Sequence, residues 1–336
     1  MSKLANIINL SYHVYVFDFI WNLQMSSNSL KLLTARRFAP LFITQFLTAF
    51  NDNLFRTAIV TFITYQTVIL TSDQRAWFVT ISMGLFMLPF FIFSATAGQL
   101  ADKYCKAHII RTVKFFEVII MALAVVSFTM QNPYLLLLVL FLVGTQSAFF
   151  GPIKYSILPD HLDNNELIGG SGLVEGGTII AILVGTILGG IMTTIGENGA
   201  FILAVPLVLL SALSSFIISQ FIPGTKPSNP NQRIDKDILN VTLSIVRETK
   251  ENHSIFLLIL GISWFWLMGS VILSQMPTFI SSVVYANNNV FSFMLAVYTL
   301  SLGIGSVLCP MLCRSKITAK FLPVSCLFIS IFLLDF

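Results

Sequence analysis

"FLTAFNDNLFR", residues 46–56, decides what kind of protein this is. It interrupts an apolar run, Phe38 to Leu70, that otherwise reads as a membrane-spanning helix. Counted from Pro40, Asp52 lies twelve residues in, roughly 18 Å deep at about 1.5 Å per residue. A hydrocarbon layer is about 30 Å thick, so the Asp, the two Asn and the Arg of "NDNLFR" fall near its centre. A charge there costs about 2.5–3.5 kcal/mol on insertion scales and persists only when paired or facing a wet cavity. The stretch predicts a spanning helix that carries a polar site.

The rest of the chain fits that reading. Hydrophobic residues make up 56% of the 336 residues and charged residues 10%, and 31 residues are Phe. Mean hydropathy is +0.85. A soluble domain of this composition would expose large apolar patches, so the fold class expected is all-α and polytopic in a membrane. The net charge of +4 is not a nucleic-acid signal, because most of the basic residues gather in short loops, where they report orientation. Cys105, Cys309, Cys313 and Cys326 lie in or beside apolar segments without a neighbouring His, and read as reduced, inert thiols. No Gly-rich phosphate loop, metal cluster or nucleophile elbow is present in the sequence, so neither an enzyme nor a cofactor is read from it.

Apolar windows of spanning length run at 39–70, 77–99, 109–130, 134–154, 167–194, 200–222, 254–282, 289–312 and 318–336. The polar, Pro-rich stretch 223–253 divides these nine into six and three. The organisation expected is an N-terminal extension (1–30), a six-span half (31–222), a linker (223–253) and a partial second half (254–336). Residues 1–30 lack the cleavage site of a signal peptide. Two readings of them stand: a peripheral amphipathic piece, or an artefactual extension ahead of a start at Met25. The ninth window stops within "LLDF", which reads as a truncation.

Loop charges predict the topology. Lys31, Arg36 and Arg37 precede span 1, and Lys103, Lys106, Arg111 and Lys114 are assigned to the junction of spans 2 and 3. Lys154 ends span 4, and five more basic residues lie in 223–253. Arg314, Lys316 and Lys320 follow span 8, whereas the opposite loops hold Arg75. This bias places the N-terminus and the linker in the cytoplasm. In span 5, Gly172/Gly176 and Gly185/Gly189 repeat at the four-residue spacing that lets helix backbones approach closely.

"GQLADKYCK", residues 98–106, joins spans 2 and 3. It resembles the G-x-L-a-D-r-x-g-r/k signature of the major facilitator superfamily, with Cys105 departing at the second Gly position. Gly98, Asp102, Lys103 and Lys106 are then gating candidates. Gly98 is expected to allow a tight turn, Asp102 to accept hydrogen bonds at a helix N-terminus, and the bases to hold carboxylates or helix C-termini. "RRFAPLFITQFLTAFNDNLFRTAIV" (36–60), "FFGPIKYSILPDHL" (149–162) and "GLVEGGTIIAILVGTILGG" (172–190) resemble the bacterial lysophospholipid transporter family. With "ISWFWLMGSVILSQMPTF" (262–279), the resemblance is closest to the branch fused to an acyltransferase and an acyl-carrier-protein synthetase. It covers about residues 31–336.

The resemblance implies a major facilitator fold, here a six-helix N-terminal half plus about three helices of a twelve-helix whole. It implies a secondary transporter or flippase that moves lysophospholipid across the bacterial inner membrane for re-acylation. The partners expected are the lysophospholipid and membrane lipids, with either an acyltransferase/acyl-carrier-protein synthetase or a chain supplying the missing helices. Two alternatives stand beside it: a non-transporting truncated or split fragment, and a facilitator for another small molecule. Span 4 lacks the Arg that proton-coupled drug antiporters of the superfamily carry, which counts against the second.

The substrate-binding candidates are Asn51, Asp52, Asn53, Arg56, Lys154 and Glu175. Asp52 and Arg56, four residues apart, share a helix face and either neutralise each other or face a cavity; Asn51 and Asn53 favour the cavity. Glu175 has no base at i±4, so Arg56 or Lys154 is its expected partner. A zwitterionic head group wants Arg or Lys for its phosphate and a carboxylate for its ammonium. Phe46, Phe50, Phe149 and Phe150 are expected to line the acyl chain.

Overall fold

A computed structural model describes residues 30–65, 71–194, 200–231, 234–235, 237–285, 288–312 and 321–335. The alternative start at Met25, Cys313 and the basic run 314–320 lie outside the described residues. Among these residues every regular element is helical. Six long helices come first: α1 (Ala39–Tyr65), α2 (Ser72–Lys103), α3 (Lys106–Thr129), α4 (Pro133–Ser156), α5 (Leu167–Thr194) and α6 (Ala200–Ser219). A helical turn, Leu158–His161, joins α4 to α5. Then come α7 (Ile238–Glu251), α8 (His253–Ser282), α9 (Asn288–Leu312) and α10 (Leu322–Asp335).

Local chemistry sets the boundaries. Thr71 starts α2 with a reciprocal capping box: its Oγ1 accepts from Gln74 N, and its own N–H donates to Gln74 Oε1 at 3.0 Å. Asn132 caps α4 just ahead of Pro133, which needs no hydrogen bond at that position. The helix α2 outruns its apolar window, 77–99, because Asp73, Arg75, Asp102 and Lys103 fall at its two ends. Asp73–Lys103, Pro133–Ser156 and Leu167–Gly189 are each long and apolar enough to cross a bilayer by length and composition, and α7 with α8 forms a bent pair that does so together. The 27 residues of α1 suffice by length, while Asn51, Asp52, Asn53 and Arg56 dilute its apolar character.

The central helix is α1. It lies against α5 and α6, while α2 packs on α4, and α3 on α4 and α6. One core cluster fills the bundle around Phe55, Phe62, Phe128 and Leu136. A second, around Leu41, Ile110, Ile153 and Ile222, fills the end where the basic residues gather. The α1–α5 contact is backbone against glycine. A Cβ on Gly185 would sit 2.5 Å from the Phe50 carbonyl oxygen, and one on Gly189 would sit 2.7 Å from that of Leu54. The spacing read as a close-contact stripe is therefore a seam that admits no side chain. Gly176 makes room in the same way for Ser306 of α9.

Candidate functional site

The middle of α1 presents its polar residues to α3, α4 and α6. Asp52 is buried, and its carboxylate accepts hydrogen bonds from two side chains of α4: Gln146 Nε2 to Oδ1 at 3.2 Å, and Ser147 Oγ to Oδ2. Asn51 donates to Glu117 Oε1 of α3 at 3.3 Å and accepts from Ser211 Oγ of α6 at 2.7 Å. Lys114 and Glu117, both with 0% side-chain exposure, form an ion pair at 2.7 Å. The Lys114 ammonium also donates to Thr48 Oγ1 at 2.6 Å and to Gln146 Oε1 at 3.5 Å, and lies 4.2 Å from the centre of the Phe150 ring. Four helices thus share one hydrogen-bonded network inside an apolar bundle.

Several expectations are corrected here. Asp52 and Arg56 do not pair. Arg56 turns to its own helix, donating to Asn53 Oδ1 at 2.7 Å and lying 5.5 Å over Phe86. The donors of α4 reach Asp52 from across the bundle, which the shared helix face did not anticipate. Among the described residues no cation lies within ion-pair distance of Asp52, so its carboxylate rests on neutral donors. Lys114, assigned above to a loop, is fully buried in α3, and its partner Glu117 was not considered at all. The signal was present: "VKFFEVII", residues 113–120, sets a Lys and a Glu three apart in an apolar window.

Glu175 finds neither Arg56 nor Lys154 as a bonded partner. It accepts from the Tyr155 hydroxyl at 2.6 Å. Lys154, in the last turn of α4, lies 4.8 Å over the Tyr155 ring and within electrostatic reach of both Glu175 and Asp52. Tyr155 and Glu175 stand at the wall of a cavity of ≈ 600 Å³ between α4, α5 and α9, whose other walls include Leu158, Pro159, Leu167 and Ile168. The phenylalanines expected to line an acyl chain sit elsewhere. Phe50 and Phe150 are core residues, and Phe149 stacks on Phe93 with ring centres 5.6 Å apart.

The gating candidates gather at the basic end. Gly98 is not at a turn. It lies inside α2, where a Cβ would meet nothing within 4 Å, and the chain turns at Tyr104 and Cys105 instead. The helix continues because no buried partner and no positive φ demand otherwise at that position. The Asp102 side chain is exposed, and its carbonyl accepts from Asn229 N at 2.8 Å. Lys103 lies 5.7 Å over Tyr104. Lys106 is buried, and its ammonium reaches both the Ser156 carbonyl at the end of α4 and Asp160 Oδ2, each at 2.8 Å. Its backbone N–H donates to Thr225 Oγ1 at 3.1 Å. Nearby, Arg37 donates to Glu166 at 2.7 Å and to the His161 carbonyl at 3.1 Å. Burial pushes the His161 imidazole below its ordinary pKa, so it adds no charge to this cluster at neutral pH.

The family model of the Major Facilitator Superfamily matches residues 41–336. Curated relatives include the lysophospholipid transporters LplT of Escherichia coli (strain SE11), Escherichia coli (strain K12 / DH10B) and Shigella boydii serotype 18 (strain CDC 3083-94 / BS512). Each is 26% identical over 234 residues, which is 68% of this chain and 53% of the relative. The chain spans about half the length of the curated relatives it matches.

Proposed function

Because the chain belongs to the major facilitator superfamily, we propose that the whole protein is a transporter whose cargo is a lysophospholipid with a cationic head group. The observation that carries this reading is the Asp52 carboxylate, buried among apolar helices and bonded only to the neutral donors Gln146 and Ser147. A buried carboxylate that no cation bonds directly is costly, and an ammonium from the cargo supplies that direct partner. Lys154, within electrostatic reach of both Asp52 and Glu175, is of the right kind for the phosphate. The cavity at Glu175, with its largely apolar walls, has the character an acyl chain requires. The relatives' names support the same cargo.

In this reading the cargo crosses the bacterial inner membrane toward the cytoplasmic leaflet and passes to an acyltransferase with an acyl-carrier-protein synthetase. Asp52, Asn51, Asn53, Arg56, Lys154 and Glu175 serve the head group; Asp102, Lys103 and Lys106, with Gly98 in the helix above, serve the gate. The test is reconstitution of the whole protein in liposomes. Labelled lysophosphatidylethanolamine should move between leaflets, and lysophosphatidic acid, which lacks the amine, should compete poorly. No movement of either lipid, with a water-soluble solute carried instead, would assign the chain another cargo.

The N-terminus and the linker lie in the cytoplasm in this reading, as the bias of basic residues requires. A cysteine at Gln131, at the turn before α4, should react with an impermeant maleimide on intact cells, and one at Asn229 should not. Labelling at Asn229 alone reverses the orientation.

A further inference from the structure

Helix α7 fits neither water nor the hydrocarbon core. Asp237 caps its start, with Asn240 N donating to Oδ1 at 3.1 Å, and Asn252 caps α8, with Ile255 N donating to its Oδ1 at 3.3 Å. Two separately capped helices meet there at a bend of 118°, so the corner is written into the sequence. The 30 residues of α8 are enough to cross the bilayer without α7, and with α8 along the bilayer normal the 118° bend leaves α7 roughly 30° from the membrane plane. It rests on α2, where Val241 is buried, and Asp235 N ties the approach to it through Gln99 Oε1 at 2.8 Å.

The rest of α7 is divided by face. Residues three and four apart share a side of a helix. Thr242, Leu243, Ile245, Val246, Thr249 and Lys250 therefore form one continuous face. Leu243 (62%), Ile245 (48%) and Val246 (42%) are exposed on it. The two threonines do not need water, because their hydroxyls donate to the carbonyls of Ile238 and Ile245 at 2.8 and 2.6 Å. Lys250 rises at one end of this face, with its ammonium 5.9 Å from the centre of the Phe256 ring of α8, and Arg247 borders it beside Leu243. Glu248 and Glu251 project from the far side with Asn240 and Ser244. Cations at the border and carboxylates away from it match a surface of lipid phosphates beneath an apolar layer.

We infer that α7 is an interfacial helix, docked by its Leu243–Ile245–Val246 face on the boundary between head groups and acyl chains of the leaflet at the basic end of the bundle, with Arg247 and Lys250 selecting anionic phospholipid. The assignment does not depend on the cargo. Spin labels on single cysteines at Leu243, Val246, Ser244 and Glu248, in the full chain with its native cysteines replaced by serine, test it. The vesicles are phosphatidylethanolamine with phosphatidylglycerol, and phosphatidylcholine alone. Oxygen should relax the labels at 243 and 246 several-fold more than a water-soluble nickel chelate does, and the order should reverse at 244 and 248. Equal nickel access at all four positions puts α7 in water. Low access of both reagents at 243 and 246 puts it against protein. Either result overturns the inference. In Arg247→Gln/Lys250→Gln, nickel access at 243 and 246 should rise in the phosphatidylglycerol vesicles alone; no rise there overturns the choice of anionic lipid.

Discussion

Lys114→Met will destabilise the helical bundle severely, and adding Glu117→Leu will restore most of the loss. The pair is fully buried, and Glu117 has no second cation within reach among the described residues. Removing one partner of a buried ion pair leaves an uncompensated charge and costs about 3–5 kcal/mol, whereas replacing both by apolar residues of similar size is often neutral. A domain is stable by about 5–15 kcal/mol in all, so the single change takes a large share. The recovery will fall short of complete, because Thr48, Asn51 and Gln146 each lose a partner and an unsatisfied buried polar group costs about 1–3 kcal/mol. Thermal unfolding of the purified protein, followed by tryptophan fluorescence, reads the difference. If the single variant melts no lower than the double, the pair does not hold the bundle as described.

Asp52→Asn should do the opposite: abolish lipid movement and leave stability unchanged or raised. Asparagine keeps one acceptor oxygen for Gln146, while the Ser147 hydroxyl turns to accept from the new amide, and the change removes a buried charge that no cation bonds directly. Its stability cost is small where that of Lys114→Met is large. Its functional cost is the whole attraction for the cargo's ammonium. Initial rates of labelled lysophosphatidylethanolamine movement, normalised to the amount of inserted protein, measure it. Normal rates would make Asp52 a structural residue and end the head-group proposal.

How much of this was legible depends on the kind of signal. Hydropathy fixes membrane helices because twenty apolar residues in a row have few other uses, and the windows at 109–130, 134–154 and 167–194 fall within a few residues of α3, α4 and α5. Charge counting was less sure. It treats every Lys near a span end as a loop residue, and Lys114 sits only eight residues into α3, where its pairing with Glu117 hides both charges. Partner choice was least legible. Spacing along one helix puts Arg56 near Asp52, but the donors that win come from α4, ninety-four and ninety-five residues away. Glu175 was matched to cations alone, and the group that reached it was a phenol, Tyr155. Such contacts are set by how helices pack, which no local pattern in the chain encodes.

The polar network also bears on the order of biosynthesis. Residues of α1 leave the ribosome before those of α3, α4 and α6. Yet among the described residues the side chain of Asn51 is satisfied by Glu117 and Ser211 alone, and that of Asp52 by Gln146 and Ser147 alone. Until about one hundred and sixty further residues have been made, the first helix of the bundle carries polar groups with nothing to bind in hydrocarbon. It must wait beside the insertion machinery or in its water-lined channel, and it enters the lipid in company with its successors. The helix made first is the last to be completed.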